Sequence, residues 1–239
     1  QNDSVVVSKN YYDLFIAGKS FVQSALPIEK QILLYDPQGD TKNALEKLSV
    51  KTQIIASFNN LKNDQNNILI IGENDADDKV KNNAVAIKQF VQSGGRVLCL
   101  RQGESHFENL NAILNNQLKN ITMNLDTPVY PPPPRPSRNG YNINVERPGN
   151  LIFAGIKREN LRYWSDYTNW NESEPGFPAI YPVTDGFVLQ NKNDIATAAV
   201  LADYGPALDG IAAAEMFNEK GSILLCGLDL AHRAGLDPI

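Results

Sequence analysis

The chain has 239 residues and a formal charge of −5, from 22 Lys and Arg against 27 Asp and Glu. Neutralising phosphates requires clustered positive charge, and the sequence has no basic block, so we expect no nucleic-acid partner. No apolar run reaches the roughly 20 residues that a membrane-spanning helix needs, so we expect no membrane partner either. A hydrophobic content of 42% with only two cysteines excludes a disordered tail and a disulfide-rich miniprotein, and predicts an ordinary globular core.

The two ends of the sequence suggest a piece of a longer protein or a processed secreted one. The chain begins at Gln1 without a hydrophobic signal segment, and Leu236–Ile239 resembles the entrance to a further helix. Residues 1–29 show no regular pattern and are interpreted as a lead-in segment. A signal peptide is removed from mature secreted proteins, so we expect a periplasmic or extracellular location.

Short apolar strands alternate with helical segments from residue 31 onwards. Strands are predicted at 31–35, 52–56, 67–71, 96–100 and 121–125, and helices at 41–48, 80–91 and 106–118. Ser93-Gly94-Gly95 is a strong helix end, because glycine adopts the left-handed conformation there. Non-alternating apolar strands separated by helices predict a doubly wound, mostly parallel α/β sheet with helices on both faces. Ligands bind beyond the carboxyl ends of such strands, which directs attention to loops 36–40, 72–78 and 101–106.

The second half of the chain has a different pattern. A proline-rich insertion near 128–148 is predicted to be an extended surface loop, with docking to an aromatic groove as the alternative. A strand stub and a short helix are expected within 150–164, and a strand at 195–204. Strands at 211–218 and 222–228, joined by Glu219-Lys220-Gly221, predict an antiparallel hairpin added to the sheet. We therefore expect one α/β domain over residues 30–239.

The turn after the strand RVLCL is the place where this kind of fold would carry a nucleophile. A sharp strand-to-helix turn exposes the side chain and lets backbone N–H groups hold an oxyanion. Here the turn reads Arg101-Gln102-Gly103, and neither Arg nor Gln is a nucleophile. An alternative catalytic set is Ser105, His106 and His232, which would require an unfamiliar arrangement.

Acidic side chains and cysteines are the other groups that could carry chemistry. Glu73, Asp75, Asp77 and Asp78 offer oxygen ligands for Ca²⁺ or Mg²⁺, but without the spacing of a calcium loop. We interpret them as a solvated acidic turn that caps the following helix. Cys99 and Cys226 lie in apolar runs and are expected to be buried free thiols, with a disulfide open only if their strands are neighbours. Two Cys and two His are too few and too scattered for a closed zinc site, so we expect no metal. The sequence has no glycine-rich phosphate-binding motif, and we expect no cofactor.

Trp164, Tyr167 and Trp170 bring aromatic and polar character together in one short segment. We expect the two indoles to pack inside the protein or between domains. The alternative is carbohydrate stacking or an oligomer interface, because aromatic faces cover sugar C–H groups or a partner's surface.

Four segments of the chain carry a family resemblance. The stretch from Asn67 to Gly103, with NILIIGEND, a helix and then QFVQSGGRVLCLRQG, resembles the class I glutamine-amidotransferase-like fold. More specifically, the chain is similar to the amidotransferase-like accessory domains of bacterial glycoside hydrolases of the family 2 and β-galactosidase type. The further matching segments are LIFAGI at 151–156, NLRYW at 160–164 and GSILLCGLDL at 221–230.

This resemblance implies a fold that has lost its chemistry. Active amidotransferases read approximately G-x-C-x-G at the elbow, where this chain has Arg101 in the position of the cysteine and Gly103 as the trailing glycine. The later His-x-Glu pair falls near His232 and Ala234, so the acid is missing as well. The resemblance therefore implies a non-catalytic domain of a carbohydrate-degrading enzyme, with a structural, sugar-binding or oligomer-interface role. Its partners would be other domains of the same polypeptide.

Overall fold

A computed structural model describes residues 30–59, 61, 66–115, 118–121, 143–156, 184–189, 197–204 and 210–231. In chain order the elements are β1 (Gln31–Tyr35), α1 (Asp40–Lys47), β2 (Gln53–Ile54), β3 (Asn67–Ile71), α2 (Asp78–Asn82), α3 (Ala84–Gln92), β4 (Arg96–Cys99), α4 (Glu104–Asn111), β5 (Leu118–Ile121), β6 (Ile143–Val145), a 3-10 helix (Leu151–Phe153), β7 (Gly186–Leu189), β8 (Ala198–Tyr204), β9 (Gly210–Asn218) and β10 (Gly221–Cys226). No helix in these ranges is long and apolar enough to cross a membrane.

The strands form one mixed sheet, in which β2, β1, β3, β4 and β10 lie side by side in parallel. From β1 the chain moves outward through α1 to β2, and it then returns past β1 to reach β3 and β4. The direction of winding therefore reverses between β1 and β3, which makes the gap beyond their carboxyl ends the topological switch point of the sheet.

Helices cover both faces of this parallel part, which confirms the predicted doubly wound α/β arrangement. Leu33 and Leu69 face one layer, where they pack with Ile87 and Phe90 of α3. The alternating strand residues, such as Leu34, face the other layer together with Leu45 of α1. Two hydrophobic layers thus hold the carboxyl ends of β1, β3 and β4 at a common edge.

Two of the predicted helices are shorter than the apolar spacing suggests. The expected helix at 80–91 is divided into α2 and α3 at Asn83, whose side-chain amide donates to the Lys79 carbonyl. The expected helix at 106–118 ends at Asn111, and Asn115 adopts a positive φ of 55° beyond it. Asparagine competes for backbone hydrogen bonds and tolerates the left-handed conformation, so it terminates both segments.

The carboxyl-terminal half contributes antiparallel strands, as predicted, and more of them than one hairpin. β9 and β10 form the expected hairpin, and β9 also pairs with β8 and β7. The short strands β6 and β7 differ from the sequence predictions. β6 lies inside the range 128–148, so the prediction of a surface loop is wrong at Ile143–Val145, which pair with β8, while residues 128–142 lie outside the described residues. The strand stub expected near Asn150 is wrong: Asn150 instead caps the 3-10 helix by accepting from the Ile152 N–H at 3.0 Å.

Candidate functional site

The turn between β4 and α4 is tied to the loop that follows β3. The Asn74 N–H donates to the Arg101 carbonyl at 2.9 Å, and the Gly103 N–H donates to Asn74 Oδ1 at 2.7 Å. Gln102 is buried and bridges the same loop, accepting from the Ala76 N–H at 2.9 Å. The elbow is therefore tied to this loop at three points, and the Gly103 N–H is already occupied by Asn74.

Arg101 turns into the protein from this elbow and meets three carboxylates. Its Nε donates to Glu73 Oε1 at 2.5 Å, and its Nη2 pairs with the same oxygen. Its Nη1 lies 3.5 Å from Asp185 Oδ2, and its Nε lies 4.0 Å from Asp229 Oδ1. The Arg101 side chain is only 11% exposed, so the position that a nucleophile would occupy is filled by a buried ion-pair cluster.

The electrostatics of this cluster favour a permanent guanidinium. Burial opposes the charge on Arg101, but Glu73, Asp229 and Asp185 outweigh that effect and raise the pKa of Arg101. Burial raises the pKa of Glu73, while Arg101 and the Ala231 N–H, which donates to Glu73 Oε2 at 3.1 Å, offset part of the rise. Three acids around one cation also disfavour any thiolate placed at this turn.

The alternative catalytic residues are only partly described. Ser105 is exposed at the start of α4, and its Oγ lies 3.4 Å from Nδ1 of the neighbouring His106. That separation exceeds the roughly 3.2 Å expected of a working nucleophile and base. His232 lies outside the described residues, as do Trp164, Tyr167 and Trp170 of the aromatic segment.

The interpretation of the acidic turn as solvated is wrong for two of its four members. Glu73 and Asp75 are buried, with exposed fractions of 6% and 2%, because the loop folds back over the ends of β1 and β4. The capping part is confirmed: Asp77 accepts hydrogen bonds from the backbone N–H groups of Lys79 and Val80 at the start of α2. Asp78 is exposed.

Both cysteines are free thiols, as expected. Cys99 is buried, and Cys226 is partly buried on the opposite face of the sheet, since its neighbour Leu225 is the residue that pairs with Cys99. Burial raises the pKa of both thiols, to about 11 for Cys226. Neither is a candidate nucleophile, because the thiolate is the reactive form.

Burial of the two thiols should make their chemical modification slow in the native protein. We expect native protein to react slowly at Cys226 and negligibly at Cys99, because both the access and the thiolate fraction are low. A thiol reagent such as DTNB, followed by absorbance, should titrate two thiols only after unfolding. Fast reaction of Cys99 in native protein would contradict this placement.

A small cavity lies beneath the elbow. Its volume is about 20 Å³, and its lining includes Cys99, Gln102, Phe107 and Asp185. A space of this size holds about one water molecule. Within the described ranges, no group of three or more His, Cys, Asp or Glu side chains is arranged to hold a metal ion.

Sequence reasoning found the elbow but missed the partners of its arginine. Asp185 lies just before β7, and Asp229 follows β10 in the segment Gly-Leu-Asp-Leu. The available signal was a single acid next to an apolar strand, before β7 for Asp185 and after β10 for Asp229. These acids become informative only in the folded chain, where β10 pairs with β4 and Thr184 forms a bridge with Leu228 just after β10.

No protein-family model matches the sequence, and neither does any curated protein. Among solved structures, the chain is similar to a GMP synthase-like protein from Thermoplasma acidophilum, with 12% identity over 84% of this chain and 83% of that one and a TM-score of 0.43. It is also similar to a cytoplasmic protein from Salmonella typhimurium LT2, with 11% identity over 83% and 88% and a TM-score of 0.45.

A third similar structure is the cold-adapted β-galactosidase of Rahnella sp. R3. The identity is 13% and the TM-score 0.43, over 83% of this chain. The match spans only 28% of the β-galactosidase chain. At these values nothing about the activity of the present chain follows from any of the three.

Proposed function

We propose that this chain is a non-catalytic, amidotransferase-like accessory domain of a bacterial carbohydrate-degrading enzyme, in which it has a structural role. The observation that carries the proposal is the arginine at the elbow. Arg101 stands where the resemblance places a reactive cysteine, and Glu73, Asp185 and Asp229 hold it in the interior.

The surroundings of the elbow support the loss of chemistry. The Gly103 N–H is occupied by Asn74, and the cavity nearby has room for about one water molecule. Cys99 is the nearest thiol in the chain to the elbow, but it lies within β4, where burial raises its pKa. Acyl transfer needs a nucleophile, a base and free oxyanion donors together, whereas Arg101 is not a nucleophile and the Gly103 N–H is not free.

The carbohydrate part of the proposal rests on the resemblance of the sequence segments to accessory domains of glycoside hydrolases. In such an enzyme the catalytic carboxylates would lie on a separate barrel. Sugar binding through the aromatic segment and a role in oligomer assembly are further options within the same proposal, as is a periplasmic or extracellular location.

The coding sequence that flanks this segment tests the proposal of a larger enzyme. We expect the same reading frame to continue into a catalytic barrel that contains a pair of carboxylates. An isolated reading frame of this length would contradict the proposal and would favour an independent enzyme.

An activity assay tests the lack of catalysis separately. We expect the purified chain to hydrolyse neither glutamine nor a simple ester such as p-nitrophenyl acetate above the buffer rate. Ser105→Ala and His106→Ala serve as matched controls, and we expect both to leave this background unchanged. Turnover by the unmodified chain that either substitution abolishes would establish the alternative, a hydrolase with an atypical Ser-His site.

A further inference from the structure

Two aspartates meet at the topological switch point of the sheet. Asp36 directly follows β1, Asp75 lies in the loop after β3, and their exposed fractions are 8% and 2%. A β-carbon on Gly72 would collide with Asp75 Oδ2 and would lie 2.9 Å from both Asp36 Oδ1 and Thr41 Oγ1. The two carboxyl groups therefore converge on one small volume beside the backbone of Gly72.

The two carboxyl groups differ in their hydrogen bonds. Asp36 is held as an acceptor, because its Oδ1 receives the Gly39 N–H at 3.2 Å and its Oδ2 receives the Lys42 N–H at 2.6 Å. Neither oxygen of Asp75 has a hydrogen-bond partner of normal geometry within the described part of the chain, although the Gln38 N–H faces this carboxyl group. A buried carboxylate without donors is costly, and a second one beside it is more so.

We propose that Asp36 and Asp75 form a carboxyl–carboxylate pair that holds one proton, and that loss of this proton loosens the loop 72–77 from the elbow. Protonated Asp75 becomes a hydrogen-bond donor to Asp36, which resolves both the missing partner and the repulsion. The arrangement follows the rule that two carboxylates sharing one site cannot both ionise easily.

The groups around Asp75 mostly favour its protonated form. Burial, the hydrogen bond with Asp36 and the charge of Asp36 raise the pKa of Asp75 to about 8, and Asp40 adds to the rise. The backbone N–H of Gln38 opposes it. Tyr35 also faces this region, but its hydroxyl donates to Asp77 Oδ2 at 2.7 Å and not to the pair. The Lys42 ammonium likewise pairs with Glu46, at 3.7 Å.

A proton explains the pair better than a metal ion. Both oxygens of Asp36 already accept backbone N–H groups, and the described residues offer no third acidic, His or Cys ligand arranged around the pair. A hard cation such as Mg²⁺ needs about six oxygen ligands, several of them free to coordinate.

Ionisation of Asp75 would reach the elbow through hydrogen bonds that are already present. The same loop supplies Asn74, which binds Arg101 and Gly103, and Ala76, which binds Gln102. A second negative charge beside Asp36 would push this loop away from β1 and weaken those contacts. The inference does not depend on the proposed function.

A carboxyl ¹³C NMR titration of the assigned protein tests the proposal directly. We expect the Asp75 resonance to titrate near pH 8 in the unmodified chain and in Asp78→Asn, an exposed control at the start of α2. Titration of Asp75 below pH 5 in the unmodified chain would by itself overturn the proposal. Adding Mg²⁺ or Ca²⁺ at pH 8 should leave the resonance unchanged, and a cation-dependent shift would overturn it in favour of a metal site.

Stability and hydrogen exchange provide the second measurement. In Asp75→Asn the amide can donate to Asp36 as the protonated acid does, at every pH. An acid whose pKa is raised in the folded state stabilises the fold at low pH. It loses that contribution as the pH rises from the pKa of the unfolded state to the pKa of the folded state. Relative to Asp75→Asn, the unfolding constant should therefore rise up to about tenfold per pH unit between about pH 4 and 8. Above pH 8 the Asn74 and Gly103 amides should exchange faster in the unmodified chain only, and equal rates would contradict the proposal.

Discussion

Replacing Arg101 with methionine should lower the free energy of unfolding by about 3–5 kcal/mol, because it leaves buried carboxylates without their counter-charge. Glu73, Asp185 and Asp229 would keep their positions around an apolar side chain. The loss should be smaller at pH 5 than at pH 8, since burial raises the pKa of Glu73 and protonation then removes one uncompensated charge. Urea denaturation at the two pH values measures both effects.

The ion pair of Arg96 with Glu215 is the matched control for Arg101. The Arg96 side chain is 48% exposed, and its Nη1 lies 3.2 Å from Glu215 Oε1. Exposed pairs contribute about 1 kcal/mol or less, so Arg96→Met should cost far less than Arg101→Met. Adding Glu73→Gln to Arg101→Met should recover part of the loss. Equal effects of the two arginine substitutions would show that the elbow cluster is not a buried electrostatic unit.

The parallel half of the fold could be predicted from local sequence, because its strands are apolar runs between polar turns. β1 and β3 have the predicted bounds, Gln31–Tyr35 and Asn67–Ile71. β2 was overestimated, since only Gln53 and Ile54 pair at this exposed edge. The bounds of a buried strand follow from its own apolar side chains. The bounds of an edge strand depend on how many residues of its single neighbour are available for pairing.

The partners of the candidate site could not be predicted in the same way. The elbow at Arg101 follows from a local pattern of strand, turn and helix. Asp185 is 84 residues away along the chain, and its position beside the guanidinium depends on the bridge that Thr184 forms with Leu228 after β10. Asp75 presents the same difficulty, because a run of acids predicts a solvated turn unless the loop is known to fold across the end of β1.

The hairpin glycine shows that a correct prediction can rest on a different physical cause. Lys220-Gly221 was interpreted as a turn signal, and the turn is present between β9 and β10. The left-handed residue of that turn is Glu219, with φ of 52°, and Gly221 does not have a positive φ. Glycine is required at 221 because a β-carbon there would collide with the backbone carbonyl oxygens of Val91 and Gly95.

Replacing Gly221 with alanine should therefore lower the free energy of unfolding by about 3 kcal/mol, at the upper end of what overpacking usually costs. Both obstructing atoms belong to the backbone at the end of α3, so a side-chain rotation cannot relieve the collision. The hairpin would have to move away from α3, which would strain the pairing of β10 with β4. Thermal and urea unfolding followed by circular dichroism measure the loss.

Gly149 provides the matched control for this substitution. Within the described part of the chain, no atom lies within 4 Å of the position that its β-carbon would take, and its φ is not positive. Gly149→Ala should therefore change the free energy of unfolding by less than about 1 kcal/mol, and a small gain is the expected direction, because alanine restricts the unfolded chain. If Gly221→Ala were as well tolerated as Gly149→Ala, the contact between the hairpin and α3 would be looser than described. The fixed position of β10 beside β4 carries Asp229 to the elbow, so that outcome would also weaken the case for a rigid ion-pair cluster around Arg101.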